Sequence, residues 1–279
     1  MITVFTPTFN RGYIIGNLFD SLKNQTNKNF EWIVIDDGSE DNTLDIFEGI
    51  LKEECEFPIT YRKVENGGKH RAINKAVQMA AYDAFFIVDS DDSLLPDAIE
   101  KVDKWFSFIS GDPRFAGVAG LKGFTADDPV GGYGAFEGEY IDATNLERDK
   151  YNLNLDKAEV YKTEILKKYQ FPEFEGENFL TEAVVWNKIA KAGYLIRWYN
   201  EVIYLCDYLE DGLSKNANSR IMDNPIGYSY HLAVLESVYG ADVVDAHRLK
   251  FYQMLLQKYD SETTFKIINI ANGMKNNDC

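Results

Sequence analysis

"ITVFTPTFNRGYIIGNLFDSLKNQTNKNFEWIVIDDGSEDNT", residues Ile2 to Thr43, decides the fold class. It holds a β-rich run over 2–6, a helical pattern over 13–23 and a second β-rich run over 31–36, and a polar turn follows each strand. Strand, helix and strand at this spacing predict a right-handed βαβ unit. The alternation continues with strands over 59–64 and 84–89 and helices over 43–53, 70–80 and 97–108. A mostly parallel sheet flanked by helices follows, which makes the chain α/β.

In open parallel sheets, ligands bind outside the carboxyl ends of the strands. The turns there are "TPTFNR" (6–11), "DDGSEDNT" (36–43), "ENGGKHRAIN" (65–74) and "DSDD" (89–92), all expected on one edge. From about Phe115 the pattern changes to Gly-rich and aromatic-rich segments, "FAGVAGLKGFT" and "VGGYGAFEGEYID", which read as strands and loops. A helix over 180–192 ending at Gly193 and two strand-like runs, "YLIRWY" and "VIYLCDYL", come next. Beyond Ser214 the chain reads as helical and then trails off in the polar "NGMKNNDC". The expected division is 1–114, 115–215 within the same globule, and a helical extension over 216–279.

The 279 residues carry 29 basic and 45 acidic side chains, a formal charge of -16, which argues against phosphate-backbone binding and predicts no nucleic-acid partner. Three scattered cysteines, Cys55, Cys206 and Cys279, share no metal-ligand spacing and fit a reducing compartment. With no signal peptide pattern and no apolar run of membrane-spanning length, the expected location is the cytoplasm, with a peripheral stay at the inner face of a membrane left open.

The cluster Asp89, Asp91 and Asp92 after an apolar strand admits several readings. As a solvated turn it would cap the next helix. As an EF-hand it fails, because Leu94 occupies the position that needs Gly and a strand leads into the loop. An aspartyl-phosphate enzyme would place such a pair after the first strand of its domain, and here it follows the fourth. Two carboxylates spaced i, i+2 can also converge on one hard divalent cation that neutralises a diphosphate, and the other three turns favour this reading.

Over roughly residues 1–215 the chain resembles glycosyltransferase family 2, with "TPTFNRGYIIGNLFDSLKNQTNKNFEWIVIDDGSEDNT" following that family's opening pattern almost without interruption. The resemblance implies the A-type glycosyltransferase fold: a Rossmann-like sheet, a mixed acceptor-side lobe over 115–215, and a nucleotide-sugar-binding half over 1–114. It further implies that Thr6, Pro7, Phe9 and Arg11 surround the nucleotide base, with Phe9 stacked on it. Asp37 would accept a hydrogen bond from a uracil N–H. Gly68 would admit the ligand to the backbone, with Lys69 or Arg71 available for phosphate or ribose. Asp89 would contact ribose or metal, and Asp91 would be the principal ligand of Mn²⁺ or Mg²⁺, with Asp92 as its alternate. His70 is assigned no proton transfer.

The same resemblance asks for a base at the start of a helix that ends near a Gly. "GENFLTEAVVWNKIAKAG" offers Glu175, Glu177 and Glu182, and the spacing to Gly193 favours Glu182, although Thr181 stands where relatives carry a first acid. Where many relatives carry a His near the metal, this chain has Leu209, with Asp207, Glu210 or Lys215 as substitutes. The expected function is a metal-dependent, inverting transferase that moves a sugar from a nucleotide-diphosphate donor, UDP-linked by preference. The acceptor is a hydroxyl of a glycan or lipid-linked glycan, as in bacterial surface polysaccharide synthesis. The alternatives are a sugar-nucleotide or glycan-binding module without catalysis, and a sugar-phosphate nucleotidyltransferase, whose Gly- and Arg-rich loop "TPTFNR" lacks.

Overall fold

The computed structural model describes residues 1–207 and 217–277. The strands are β1 (Ile2–Thr8), β2 (Phe30–Asp36), β3 (Ile59–Lys63), β4 (Ala84–Ile87), β5 (Ser93–Leu94), β6 (Phe115–Thr125), β7 (Asp128–Pro129), β8 (Tyr140–Ala143), β9 (Lys157–Lys162) and β10 (Leu195–Leu205). The helices are α1 (Ile15–Lys23), α2 (Thr43–Ile50), α3 (Lys69–Met79), α4 (Ala98–Ser107), α5 (Thr163–Lys168), α6 (Ala183–Lys191), α7 (Ala217–Asp223), α8 (Pro225–Tyr239), α9 (Ala241–Lys258) and α10 (Ser261–Asn277).

One sheet runs β3-β2-β1-β4-β9-β6-β10-β5. β3, β2, β1 and β4 are parallel, as expected from the βαβ pattern. β9 lies antiparallel between β4 and β6, so β6 and its parallel neighbour β10 return to the sense of the first four strands. The sheet therefore crosses the sequence boundary at 114 without a break. Over 195–205 the two expected strand-like runs are one strand, β10, whose pairing to β6 shifts register between Trp198 and Val202, where Asn200 and Glu201 interrupt the apolar pattern; residues 208 and 209 of the second run lie outside the described residues.

β1, β2 and β4 read as nearly continuous apolar runs because both faces of the sheet are covered there, whereas the edge strand β3 stays largely open to solvent. Alternate residues divide between two cores: Val4, Trp32, Val34 and Phe86 pack with α1, α2 and α4, while Phe5, Ile33, Ile35 and Phe85 pack against α3 and α6. In α1, Ile15, Leu18, Phe19 and Leu22 form the buried stripe that fixes which side of the helix faces the sheet.

Residues 272–277 of the polar segment read from sequence as a trailing end are the last part of α10. Thr264, Ile267 and Ala271 are buried at helical spacing, which keeps that helix regular against the rest of the bundle. Leu232, Val244, Phe251, Leu255 and Ile267 make a small separate core for α8 to α10. Among the described residues, no helix is long and apolar enough to cross a membrane.

Candidate active site

The first two turns are clamped together by short polar side chains. Asn10, in a left-handed conformation with φ 53°, donates its N–H to Ser39 Oγ at 2.8 Å and accepts the Glu40 N–H at 2.8 Å through its own side chain. Asp41 accepts the Gly12 N–H at 3.0 Å and the Thr43 N–H at 3.0 Å, so it caps α2 and ties down the first turn at once. Asp36 is structural: it accepts the Ser39 N–H at 2.7 Å and the Tyr61 hydroxyl.

On this frame Phe9 is 45% exposed, so its ring is not part of the core. Thr6 differs: it is fully buried and its hydroxyl accepts the Trp32 indole N–H at 2.9 Å, which places its side chain inside the sheet. Pro7 is half-buried between them. Arg11 lies 3.8 Å from Asp91 and so reaches from the first turn to the fourth.

Asp37 organises the third turn. Its two carboxylate oxygens accept the N–H groups of Gly67 and Gly68, each at 2.8 Å. Burial pushes its carboxyl above the usual range, and those two amides oppose the shift. Gly68 has φ +93°, and a Cβ there would sit 1.8 Å from the Asn178 carbonyl oxygen. Only glycine allows that approach. Arg71 is a strap: it donates to the carbonyls of Gly67 at 2.6 Å, Glu177 at 2.5 Å and Phe174 at 2.5 Å, and it pairs with Glu173. These bonds bind the third turn to the loop before α6 and occupy the guanidinium that sequence reading offered to phosphate or ribose.

The fourth turn is a network of carboxylates and lysines. Lys69 Nζ lies 2.5 Å from Asp89 Oδ1 and 2.8 Å from Glu182 Oε1. Lys122, on β6, lies 3.7 Å from Asp89 and 3.6 Å from Asp92, and its ammonium sits 4.0 Å from the centre of the Tyr204 ring. Tyr204 donates its hydroxyl to Asp92 at 2.6 Å and accepts the Asp89 N–H at 2.9 Å. Burial alone would raise Asp89, but Lys69 and Lys122 outweigh it and hold the carboxyl at about 2. Burial pushes Asp92 up to about 7 against the pull of Lys122, and burial with the Asp89 charge raises Asp91.

Lys122 and Tyr204 were missed in the sequence. The available signal was a single Lys inside the apolar strand "FAGVAGLKGF", since a buried ammonium needs a carboxylate partner.

Glu182 stands at the N-cap position of α6 and is half-buried. The other acids of that segment go elsewhere. Glu177 is buried and accepts the Ile226 and Gly227 N–H groups at 2.6 and 2.7 Å, which caps α8, and Glu175 is exposed. A cleft of about 610 Å³ is lined by Lys69, Asp89, Lys122 and Glu182 together with Trp186 and Tyr228. Asp207 is exposed, whereas Leu209, Glu210 and Lys215 fall outside the described residues.

Among the described residues, no group of three His, Cys, Asp or Glu side chains is arranged to hold a metal ion. The donor set fits a different kind of site. Asp89 and Asp91 supply hard carboxylate oxygens, and Mg²⁺-type cations are commonly held by one or two carboxylates plus substrate phosphates and water. The residues therefore suit a cation whose coordination a diphosphate completes.

Residues 3–109 match the family described as Glycosyl transferase family 2. Poly(ribitol-phosphate) beta-glucosyltransferase of Bacillus spizizenii is 31% identical over 124 residues, 44% of this chain and 19% of that protein. GalNAc(5)-diNAcBac-PP-undecaprenol beta-1,3-glucosyltransferase of Campylobacter jejuni is 24% identical over 237 residues, 77% of this chain and 69% of that protein. In fold, the chain is similar to S. aureus TarS 1-349 solved with UDP-GlcNAc, with a TM-score of 0.66 and 19% identity over 96% of this chain and 79% of that one. The chain spans less than two thirds of the length of the first curated relatives, 19% of one and 33% of another. The fold is that of the A-type glycosyltransferases.

Proposed function

We propose, from the match of residues 3–109 to the family described as Glycosyl transferase family 2, that the chain transfers a sugar from a nucleotide-diphosphate donor, UDP-linked, to a hydroxyl of a glycan or lipid-linked glycan, with inversion. The setting is bacterial surface polysaccharide synthesis, at the cytoplasmic side of a membrane that carries the acceptor. The observation that supports this most is the position of Lys69, which touches both Asp89 at the end of β4 and Glu182 at the start of α6. A donor-side acid and a candidate base thus stand one side chain apart.

On this reading, 1–114 holds the nucleotide and 115–215 receives the acceptor in the cleft beside Glu182. Phe9 offers its exposed ring to the base, while Pro7 and the backbone of Thr6 shape the wall behind it. Asp37 holds the Gly67–Gly68 backbone at the distance a ligand needs, and each of its oxygens keeps a second lone pair for a base N–H. Mn²⁺ or Mg²⁺ bound through Asp91 and Asp89 would supply neutralisation of the diphosphate.

Glu182 takes the proton of the acceptor hydroxyl, whose oxygen forms a bond to the anomeric carbon from the face opposite the leaving group. The anomeric C–O bond to phosphate breaks, and its electron pair leaves with the nucleoside diphosphate. One displacement with one base inverts the centre. Lys69 and Arg11 lie where they can face the charge on the departing phosphates.

The test is release of UDP from a panel of UDP-sugars by purified protein with Mn²⁺, alongside UDP binding. Asp91→Asn is expected to abolish the metal-dependent part of UDP binding. Glu182→Gln is expected to keep UDP binding and lower transfer by about 10²- to 10⁴-fold, the range of general-base contributions. The reading is wrong if no UDP-sugar releases UDP and Mn²⁺ leaves UDP affinity unchanged.

A further inference from the structure

Lys69 is held at its backbone and divided at its tip. It is the first residue of α3, and the preceding Gly68 N–H is anchored on Asp37 at 2.8 Å. Its four-carbon side chain brings one ammonium to two carboxylates from different parts of the chain, Asp89 and Glu182. These partners are not equivalent. Asp89 keeps a second cation, Lys122, at 3.7 Å, whereas among the described residues Lys69 is the only cation paired with Glu182. If the ammonium moves, Asp89 stays compensated and Glu182 becomes unpaired.

We infer that Lys69 is a shared ligand for which Glu182 and the donor's diphosphate compete, so that donor binding releases the base. This inference rests on the reading of the site as a nucleotide-sugar site. Before the donor arrives, the Glu182 carboxylate is tied into an ion pair and its oxygen is occupied by the Lys69 ammonium. A diphosphate beside Asp89 and Asp91 offers the ammonium oxygens with more negative charge than one carboxylate. The ammonium turns to it, and Glu182 faces the cleft with its lone pairs available. The order matters chemically, because a free base beside an unfilled donor site would serve no transfer, and one released by the donor acts only when there is a sugar to move.

Linkage turns this into a reciprocal effect. If the diphosphate must take Lys69 from Glu182, then weakening the Lys69–Glu182 pair must strengthen diphosphate binding by the same factor. The pair is half-exposed at Glu182, with 34% of that side chain open to solvent, so the factor is moderate. Loss of the Glu182 charge is expected to tighten UDP by roughly 3- to 10-fold.

The experiment is a double-mutant cycle on UDP affinity by titration calorimetry at fixed Mn²⁺, with wild type, Glu182→Gln, Lys69→Met and the double variant. The expected result is that Glu182→Gln tightens UDP in the wild-type background and changes it by less than about 2-fold when Lys69→Met is present. Lys69→Arg keeps the charge, so in that background the tightening persists, and this arm stands if Lys69→Met folds poorly. Uridine, which has no diphosphate, is expected to bind Glu182→Gln and wild type equally. UDP affinity unchanged or weaker in Glu182→Gln overturns the inference, and so does equal tightening with and without Lys69, which would report only a general loss of negative charge. If wild type does not bind UDP, the reading of the site fails, and this inference fails with it.

Discussion

Two histidines, each with a buried ring nitrogen, make a measurable demand on the folded state. His70 is 2% exposed in the first turn of α3, with Nδ1 unpartnered, and burial with the neighbouring Arg71 lowers it to about 4 against a weaker opposing pull from Glu173. His231, on α8, has a buried, unpartnered Nδ1 and is likewise lowered to about 4 by burial. An unfolded histidine titrates near 6.5, so between pH 6.5 and 4 the unfolded chain binds more protons at these positions than the folded one. The sign is fixed by that difference: stability is fully present above about pH 6.5 and is lost as pH falls toward 4. At pH 5, with RT about 0.59 kcal/mol, each histidine accounts for a loss of about 2 kcal/mol relative to pH 8.

The perturbation is His70→Gln and His231→Gln, singly and together, followed by urea unfolding at pH 8 and pH 5. Any packing cost of Gln appears at both pH values and cancels in the difference. Wild type is expected to lose about 2 kcal/mol more than either single variant and about 4 kcal/mol more than the double, because two separate sites add. If His70→Gln loses as much stability as wild type between the two pH values, His70 accepts its proton inside the fold without penalty, and the argument from its burial is refuted.

Two substitutions probe the frame of the site. Gly68→Ala places a Cβ against the Asn178 carbonyl oxygen at a positive φ, so it is expected to lower stability by more than about 2 kcal/mol and to weaken UDP binding; an unchanged urea midpoint would contradict the close approach. Lys122→Met removes the cation shared by Asp89 and Asp92 and is expected to lower stability by about 2 to 4 kcal/mol, with Lys122→Arg recovering part of it; a loss below about 0.5 kcal/mol, read by chemical denaturation, would mean that the lysine is not a partner of either acid.

The sheet was legible because β1, β2 and β4 are buried on both faces and each early helix carries one apolar stripe. Burial of that kind writes itself into consecutive residues, as in "EWIVID" and in Ile15, Leu18, Phe19 and Leu22. The turns were legible as places where acids and glycines collect. Their internal division of labour was not. Asp41 and Asn42 both suit a helix start, and only the coordinates assign the capping bond to Asp41. Arg71 and Lys69 lie two apart in one basic turn, yet one side chain fastens backbone carbonyls and the other meets carboxylates. Glu177 and Glu182 differ in the same way, since capping α8 requires a partner almost fifty residues later, at Ile226 and Gly227. Local pattern carries local bonds, and these roles are set by chain segments that meet only on folding.

The charges at the fourth turn explain why so many acids can sit together, partly shielded from solvent, and what they leave undone. Asp89, Asp91, Asp92 and Glu182 face Arg11, Lys69 and Lys122, and burial holds Asp92 at about 7, where part of its charge is already absent. The site is therefore close to neutral as it stands, which buried carboxylates require. A nucleoside diphosphate brings further negative charge into a chain whose formal charge is -16, and the three cations are already engaged. Compensation must come from redistribution, with Lys69 turning from Glu182, or from an added cation beside Asp91. The two routes are complementary, since Lys122 keeps Asp89 compensated while Lys69 turns to the diphosphate, and the added cation stands beside Asp91. On the proposed reading such a site needs no three permanent metal ligands, because the diphosphate would supply the cation's remaining oxygens.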